Sequence, residues 1–491
     1  MAPTSSISAY RSFSRGAVIS LAGVIAAGII SYLTRRVMTL KLSPEEYGFF
    51  YGAFSFVSLG LAVVDLGLAK TGTVLMAKYA ARGDRQTVNL FFSIIFIIKL
   101  SSSVLVGILV WFWSPILVQN YFSFPGGLPT MRCLALFIPL QTLGGLAIGS
   151  LEAMQDFGTR TLLQTIYYAI VLALVLLLTG SLKTLAPALA YCAGAIFLLT
   201  GIIHLVRRHD VRMVWEIQKW RRAWPETWIY ARWLTLSVVA LGTMNYIDTL
   251  MLTRLSDLPS VAGYQVALPL AQIGRSLIFL PVVFMPIAAA LWQRGQWRQL
   301  QESCNFITLL MCFGSGSAFL LLLPLAGNLI SLLFDERYRW AASSLVALGS
   351  GMPLLVLAEF YLNTLCGMEK PRPAAAAAGL GLFVNVVANL VFIPLFGALG
   401  AALATLLSYF LAALFAWLYL LRKLAFRPAW GPLLILMLLP WPLALLFDLQ
   451  VAPASSVAWL KCLSAWVLYG ACGFFLLSAG IVALRPARPD R

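Results

Sequence analysis

Only 18 acidic residues and two histidines occur among 491 positions, so the side chains that most often carry acid–base and metal chemistry are scarce. Charged residues make up 11% of the chain against 61% hydrophobic ones, which excludes an ordinary soluble domain. There is no Walker A loop, HExxH, GxSxG elbow or dinucleotide fingerprint, so common nucleotide-dependent and hydrolytic chemistries have no sequence support. The seven cysteines lack CxxC spacing and lie in or beside apolar runs, where they read as small packing residues and not as disulfides or ligands. His204 and His209 stand beside a basic stretch and read as surface residues. The strand-length in/out alternation of an outer-membrane barrel is also missing, so backbone hydrogen bonds in lipid have to be made within helices.

What remains is a chain of long apolar runs with a mean hydropathy of +0.88. Divided at Gly, Pro and charge, the runs are 16–40, 47–70, 88–116, 130–150, 161–180, 184–206, 228–255, 260–292, 304–334, 341–367, 374–396, 398–421, 431–448 and 456–484. Each approaches the roughly 20 residues that span a hydrocarbon core. The sequence therefore predicts an all-α polytopic membrane protein of about 14 transmembrane helices. No cleavage site leading into a polar mature chain follows the first run, which is expected to stay in the protein.

Basic residues orient the spans, because cytoplasmic connections carry an excess of Lys and Arg. Lys78, Arg82, Arg85, Arg160, Arg207, Arg208, Arg212, Lys219, Arg221, Arg222, Arg294, Arg298, Lys370, Arg372, Arg422, Lys423 and Arg427 fall in even-numbered connections. Arg11 and Arg15 precede the first span, and Arg485, Arg488 and Arg491 follow the last. Odd-numbered connections hold only Lys41, Lys183, Arg254, Arg337 and Arg339. Both termini are thus predicted to be cytoplasmic in an inner-membrane protein. The net charge of +17 is explained by orientation and anionic lipid, with no nucleic-acid partner.

The polar gap "VRRHDVRMVWEIQKWRRAWPETW" at 206–228 places Met213, Ile217, Trp220 and Trp224 at helical spacing among basic residues, the pattern of an interfacial helix. It suggests an N-lobe at 1–206 with six spans, a cytoplasmic linker helix at 207–227, a C-lobe at 228–422 with six spans, and two further helices at 423–491. "LSPEEYGFFYGAFSF" at 42–56 and "LPSVAGYQVALPLA" at 258–271 echo each other as they enter the second span of each lobe. Six is an even number, so two such units insert with the same orientation, as in parallel-repeat transporters.

Four passages carry a family resemblance: "LTRRVMTLKLSPEEYGFF" at 33–50, "NYIDTLMLTRLSDLPSVAGYQVALPLAQI" at 245–273, "LFDERYRWAASSLVALGSGMPLLVLAEFYLNTLCGMEKP" at 333–371 and "NVVANLVFIPLFGALGAALATLLSYF" at 385–410. With the span count, the chain resembles the polysaccharide-transporter branch of the multidrug/oligosaccharidyl-lipid/polysaccharide (MOP) superfamily. The resemblance implies two six-helix bundles in a V around a central cationic cavity, with two extra C-terminal helices. It also implies a flippase for undecaprenyl-pyrophosphate-linked oligosaccharides of O-antigen or exopolysaccharide type, working by alternating access, with no enzymatic activity and no cofactor.

Ionisable residues inside spans are costly and usually mark a partner or a wet pathway. Arg275, Arg35, Arg36, Lys99 and Arg232 are the candidate substrate-binding cations, since guanidinium presents a planar fork of donors to phosphate oxygens. Arg275 lies deep in its span and is read either as a cavity residue or as the partner of Glu359 or Asp65. One of Arg35 and Arg36 can snorkel, and the family pattern favours Arg35 for the cavity. Lys99 sits beside Ser101, Ser102 and Ser103, which suits a wet environment, whereas Arg132, Lys70 and Lys461 read as interfacial anchors. Asp248, Asp65 and Glu359 are candidates either for pairing with a neighbouring cation or for H⁺ or Na⁺ coupling. Asn245, Asn363, Asn385 and Asn389 read as interhelical glue more than as substrate contacts.

A lipid II flippase and a MATE-like drug antiporter are the rival transporters, although an antiporter for cationic drugs is expected to have a carboxylate-lined cavity. A membrane polymerase or ligase of the same pathway is a weaker rival, because such enzymes present substantial outer loops and "VQNYFSFPGGLP" at 118–129 carries no charge. Membrane lipids and the lipid-linked oligosaccharide are the expected partners, with a polysaccharide polymerase or export machinery as a further candidate and a monomer as the expected state. The orientation is checked by fusing alkaline phosphatase or green fluorescent protein to each terminus: the fluorescent fusions should be bright and the phosphatase fusions inactive.

Overall fold

The computed structural model describes residues 4–65, 67–216, 218–221, 224–225, 228, 243, 246–272, 279–368, 370–424, 430–447 and 456–483. Helix starts follow the sequence closely. α1 (Thr4–Lys41) is followed by Ser43, whose hydroxyl accepts from the Glu46 amide at 3.1 Å while the Glu46 carboxylate accepts from the Ser43 amide at 3.0 Å. This reciprocal capping box starts α2 (Pro44–Asp65), with Pro44 in the first turn where its missing N–H costs nothing. The apolar run continues as α3 (Leu68–Ala80) after a break at Gly67, which takes φ +66°. The second span is therefore a broken helix and not the single run predicted over 47–70.

Asp84 caps α4 (Arg85–Ile116), accepting from the Thr87 amide at 3.0 Å. After α5 (Leu128–Ala153), Asp156 caps α6 (Phe157–Leu182) in the same way, accepting from Thr159 at 3.2 Å. α7 (Leu185–Leu198) and α8 (Thr200–His209) complete the first compact unit, which runs to Tyr246. Within it α5, the fourth span, packs against α2, α3, α4, α6, α7 and α8.

The second unit begins at Ile247. It contains α9 (residues 246–255, entered one residue earlier), α10 (Leu258–Ala271), α11 (Phe279–Gln293), α12 (Trp297–Leu333), α13 (Ala342–Gly367), α14 (Pro371–Leu424), α15 (Trp430–Leu438), α16 (Pro440–Leu446) and α17 (Ser456–Ala483). Again the fourth span of the six is central. α13 packs against α10, α11, α12 and α14, and 20 of its 26 residues are buried. Each unit thus uses its fourth span as a hub, as expected of a repeated six-span design.

Among the described residues, ten helices are long and apolar enough to cross a membrane, with Trp430–Leu446 as a shorter apolar stretch. One of the ten, Arg372–Arg422, is 51 residues long and bends at Gly397, where the sequence divides 374–396 from 398–421. The runs predicted at 228–255 and 260–292 fall partly outside the described residues, and the run at 431–448 is broken between α15 and α16. Large apolar side chains lie exposed on the helices, among them Phe112 at 73% and Leu177 at 75%, which suits contact with lipid.

The helical part of the linker begins later than the sequence suggests. Residues 210–216 are not helical, whereas the described residues 218–221, 224–225 and 228 are. The α4 side chains Asn89 and Ser93 explain why. The Asn89 amide accepts from the Arg212 amide N–H at 3.1 Å and donates to the Asp210 carbonyl at 3.4 Å, and the Ser93 hydroxyl accepts from the Val214 N–H at 2.7 Å. These bonds capture backbone groups that a helix would need for itself.

Gly397 takes φ 54° and ψ −127°, a conformation other residues rarely adopt, and a Cβ there would stand 3.1 Å from the Ser260 hydroxyl. Gly397→Ala should cost about 1–3 kcal/mol. Its thermal unfolding midpoint in detergent is expected below that of wild type, whereas Gly379→Ala, with open space around it, should match or exceed wild type.

Candidate functional site

In the first unit, α1 presents Arg35 half-buried, its guanidinium carbon 4.5 Å from the centre of the Tyr51 ring and flanked by Tyr47 and Tyr191. The Tyr47 and Tyr51 rings are 4.7 Å apart, and Tyr191 packs on Phe54 at 4.8 Å. A cation on a ring face in a dry setting gains on the order of 1–2 kcal/mol and keeps its fork of donors. Arg36 follows about 100° around the helix, and its guanidinium donates to the Tyr32 hydroxyl at 3.5 Å. Arg132, read as an interfacial anchor, lies 5.3 Å from the exposed Trp111 ring.

Lys99 is 3% exposed and donates to Asp65 Oδ1 at the end of α2. The candidate cavity cation and the candidate counter-ion are therefore each other's partner. Asp65, the last residue of α2, pairs with a lysine in the middle of α4 and not with an arginine. Two charges removed from water hold each other where neither would be stable alone.

The second unit builds a different solution around Asp248, which is 4% exposed on α9. Its Oδ1 accepts from the side-chain amides of Asn385 at 2.9 Å and Asn389 at 2.7 Å. Its Oδ2 accepts from the Tyr264 hydroxyl at 2.9 Å and the Thr405 hydroxyl at 2.6 Å. One turn away in contact, Gln265 donates to Thr249 at 2.7 Å. Among the described residues no Lys, Arg or His pairs with Asp248. The Asn389 Oδ1 atom is buried without a hydrogen-bond partner beside this carboxylate. Asn385 and Asn389 precede the Gly397 bend and Thr405 follows it, so the bend folds both halves of α14 onto one carboxylate.

The set offers carboxylate, amide and hydroxyl oxygens, the donors preferred by a hard cation such as Na⁺. Rotating the Asn389 amide would bring its orphaned oxygen toward such an ion. The sequence singles out Asp248 and reads Asn385 and Asn389 as interhelical glue, and both asparagines do bond from α14 to Asp248 on α9. Tyr264 and Thr405 were not recognised as site residues. The visible signal was the four-residue spacing of the two asparagines, which puts them on one helix face.

Glu359 is half-buried on α13, and its carbonyl accepts from the Asn363 amide at 2.8 Å. Arg275, Arg232 and Asn245 lie outside the described residues, as does the side chain of Lys70. The two histidines are not isolated surface residues: His204 Nε2 and His209 Nε2 lie 3.1 and 3.2 Å from Asp156 Oδ2. Burial pushes the Asp156 carboxyl up, but hydrogen bonds from the Thr159 amide, His209, the Thr159 hydroxyl and His204 outweigh it and hold the group at about 2.

Comparison with known proteins gives a consistent result. Residues 13–292 match the family described as polysaccharide biosynthesis protein, and residues 234–391 match the MatE family. An uncharacterized membrane protein of Methanocaldococcus jannaschii is 21% identical over 426 residues, covering 84% of each chain. The structure of the lipid II flippase MurJ in an inward closed conformation is similar with a TM-score of 0.71 at 12% identity, over 94% of this chain and 98% of that one. An inward-facing multidrug resistance MATE transporter of the MOP superfamily gives 0.67 at 13% identity, over 83% of this chain and 98% of that one.

Breaking the Asp65–Lys99 pair strands a charge, so Asp65→Asn and Lys99→Met alone should each lose about 3–5 kcal/mol. The double variant should be less destabilised than the sum of the two. Thermal unfolding of the four proteins in one detergent measures the coupling; additive losses would deny it.

Proposed function

Because the chain belongs to the polysaccharide biosynthesis protein family and shares its fold with MOP-superfamily transporters, we propose that it is a flippase for undecaprenyl-pyrophosphate-linked oligosaccharides. The substrate crosses the cytoplasmic membrane by alternating access, with its isoprenoid tail in lipid and its charged head on a protein-lined path. Arg35 and Arg275 bind the pyrophosphate, and Arg36 and Arg232 extend the cationic surface. The tyrosines around Arg35 add hydroxyl donors and flat apolar faces, which suit a glycan attached to phosphate. Lys99 contributes indirectly, by holding Asp65 in the first unit.

Net movement requires a driving force and a site whose occupancy differs between the two states. We assign that role to Asp248 with Asn385, Asn389 and Thr405, which bind and release Na⁺. The observation that carries the transporter reading is this buried carboxylate: it is satisfied entirely by neutral donors, beside an orphaned amide oxygen, inside an apolar helix bundle. Product is taken by a polysaccharide polymerase or export machinery on the outer side, and the monomer is the working unit.

The test is reconstitution into liposomes with a fluorescent undecaprenyl-pyrophosphate oligosaccharide, following its appearance in the opposite leaflet. Wild type should move it, and Arg35→Ala and Arg275→Ala should each slow movement by about tenfold or more, given the value of a charge-assisted phosphate contact. Equal rates in well-folded variants would make these arginines structural. Preferential movement of lipid II over the oligosaccharide would reassign the substrate.

A further inference from the structure

The transport scheme leaves one cluster of chemically capable side chains unused. In the first unit, the turn between α5 and α6 and the end of α8 bring together Asp156, His204 and His209, and their ligand atoms all lie within 4.8 Å of one another. We propose that these three residues form a binding site for a divalent transition-metal ion of the zinc type.

Imidazole nitrogen and carboxylate oxygen are the donors that such an ion selects. Metal–ligand bonds of about 2.0–2.1 Å in a tetrahedron put neighbouring donor atoms about 3.3 Å apart. The two separations from Asp156 Oδ2 to the imidazoles, 3.1 and 3.2 Å, fall close to that edge, and the third donor pair lies within 4.8 Å. Both histidines face the carboxylate with the same nitrogen, Nε2, so both rings are turned toward one point.

The carboxylate is also oriented before any ion arrives. Its Oδ1 accepts from the Thr159 N–H as the cap of α6, leaving Oδ2 to the histidines. Such outer contacts fix a ligand's geometry and are part of what makes a site selective. Arg160 pairs with Glu152 at 3.5 Å, which directs one nearby positive charge elsewhere.

Three protein ligands leave a fourth tetrahedral position for water. The position of the site suggests a regulatory clamp. His209 ends α8, and the chain then runs through 210–216, bound to Asn89 and Ser93 of α4, on its way out of the first unit. An ion held by Asp156 and His209 ties the start of that connecting segment to the α5–α6 turn. Without an ion, the same contacts are hydrogen bonds, which hold less firmly.

The experiment is equilibrium dialysis of untagged, full-length protein in detergent against Zn²⁺, with Co²⁺ as a spectroscopic substitute. His204→Ala, His209→Ala and Asp156→Asn are compared with wild type, the last because Asn still caps α6 and preserves the fold. Expected is one saturable Zn²⁺ per chain, with affinity about tenfold or more weaker in each variant. The Co²⁺ complex should show tetrahedral ligand-field bands without thiolate charge transfer, and these should vanish in the variants. Unchanged binding in all three, or a thiolate signature from the cysteines, overturns the proposal. So does the absence of saturable binding to wild type, which would leave the trio as a hydrogen-bonded set only.

Discussion

An ionised side chain inside a helix bundle has to be met by protein groups, because water is absent and the desolvation penalty amounts to several kcal/mol per ion. The chain meets this constraint in three ways. Lys99 and Asp65 neutralise each other. Arg35 rests against tyrosine rings. Asp248 accepts from four neutral donors, with no cationic partner among the described residues. The first closes a charge balance, whereas the other two are met by aromatic rings and neutral polar groups.

The irregular backbone serves the same end. The break at Gly67 ends α2 at Asp65, and the bend at Gly397 lets Asn389 and Thr405 reach one carboxylate from two halves of a 54-residue helix. In lipid such departures from helix are tolerated where protein surrounds them. Both units are organised around their fourth span, α5 in one and α13 in the other. A transporter needs such close packing if small changes at an ion site are to become large changes in access.

Much of the architecture was legible in local sequence. Runs of apolar residues gave the helices, while the capping of α4, α6 and α10 by Asp84, Asp156 and Asp257 emerged from the structure. The late start of the linker helix was not legible, because the spacing of Met213, Ile217, Trp220 and Trp224 says nothing of Asn89 and Ser93, more than a hundred residues earlier, which take up the backbone of Arg212 and Val214. The candidate sites were legible only as isolated residues. Asp248 stood out as a charge in an apolar run, but Asn385 and Thr405 lie 137 and 157 positions from it. His204 and Asp156 are likewise 48 positions apart, and composition cannot bring them together. Helical periodicity shows which residues share a face; tertiary packing decides which faces meet.

The most direct measurement is the initial rate of lipid-linked oligosaccharide movement in proteoliposomes under an imposed Na⁺ gradient, against K⁺ at the same membrane potential. Wild type should be faster with Na⁺, and Asp248→Asn, which keeps the size and most hydrogen bonds of the residue, should lose that difference. Identical rates in Na⁺ and K⁺, or a Na⁺ effect that survives Asp248→Asn, would contradict coupling through this carboxylate.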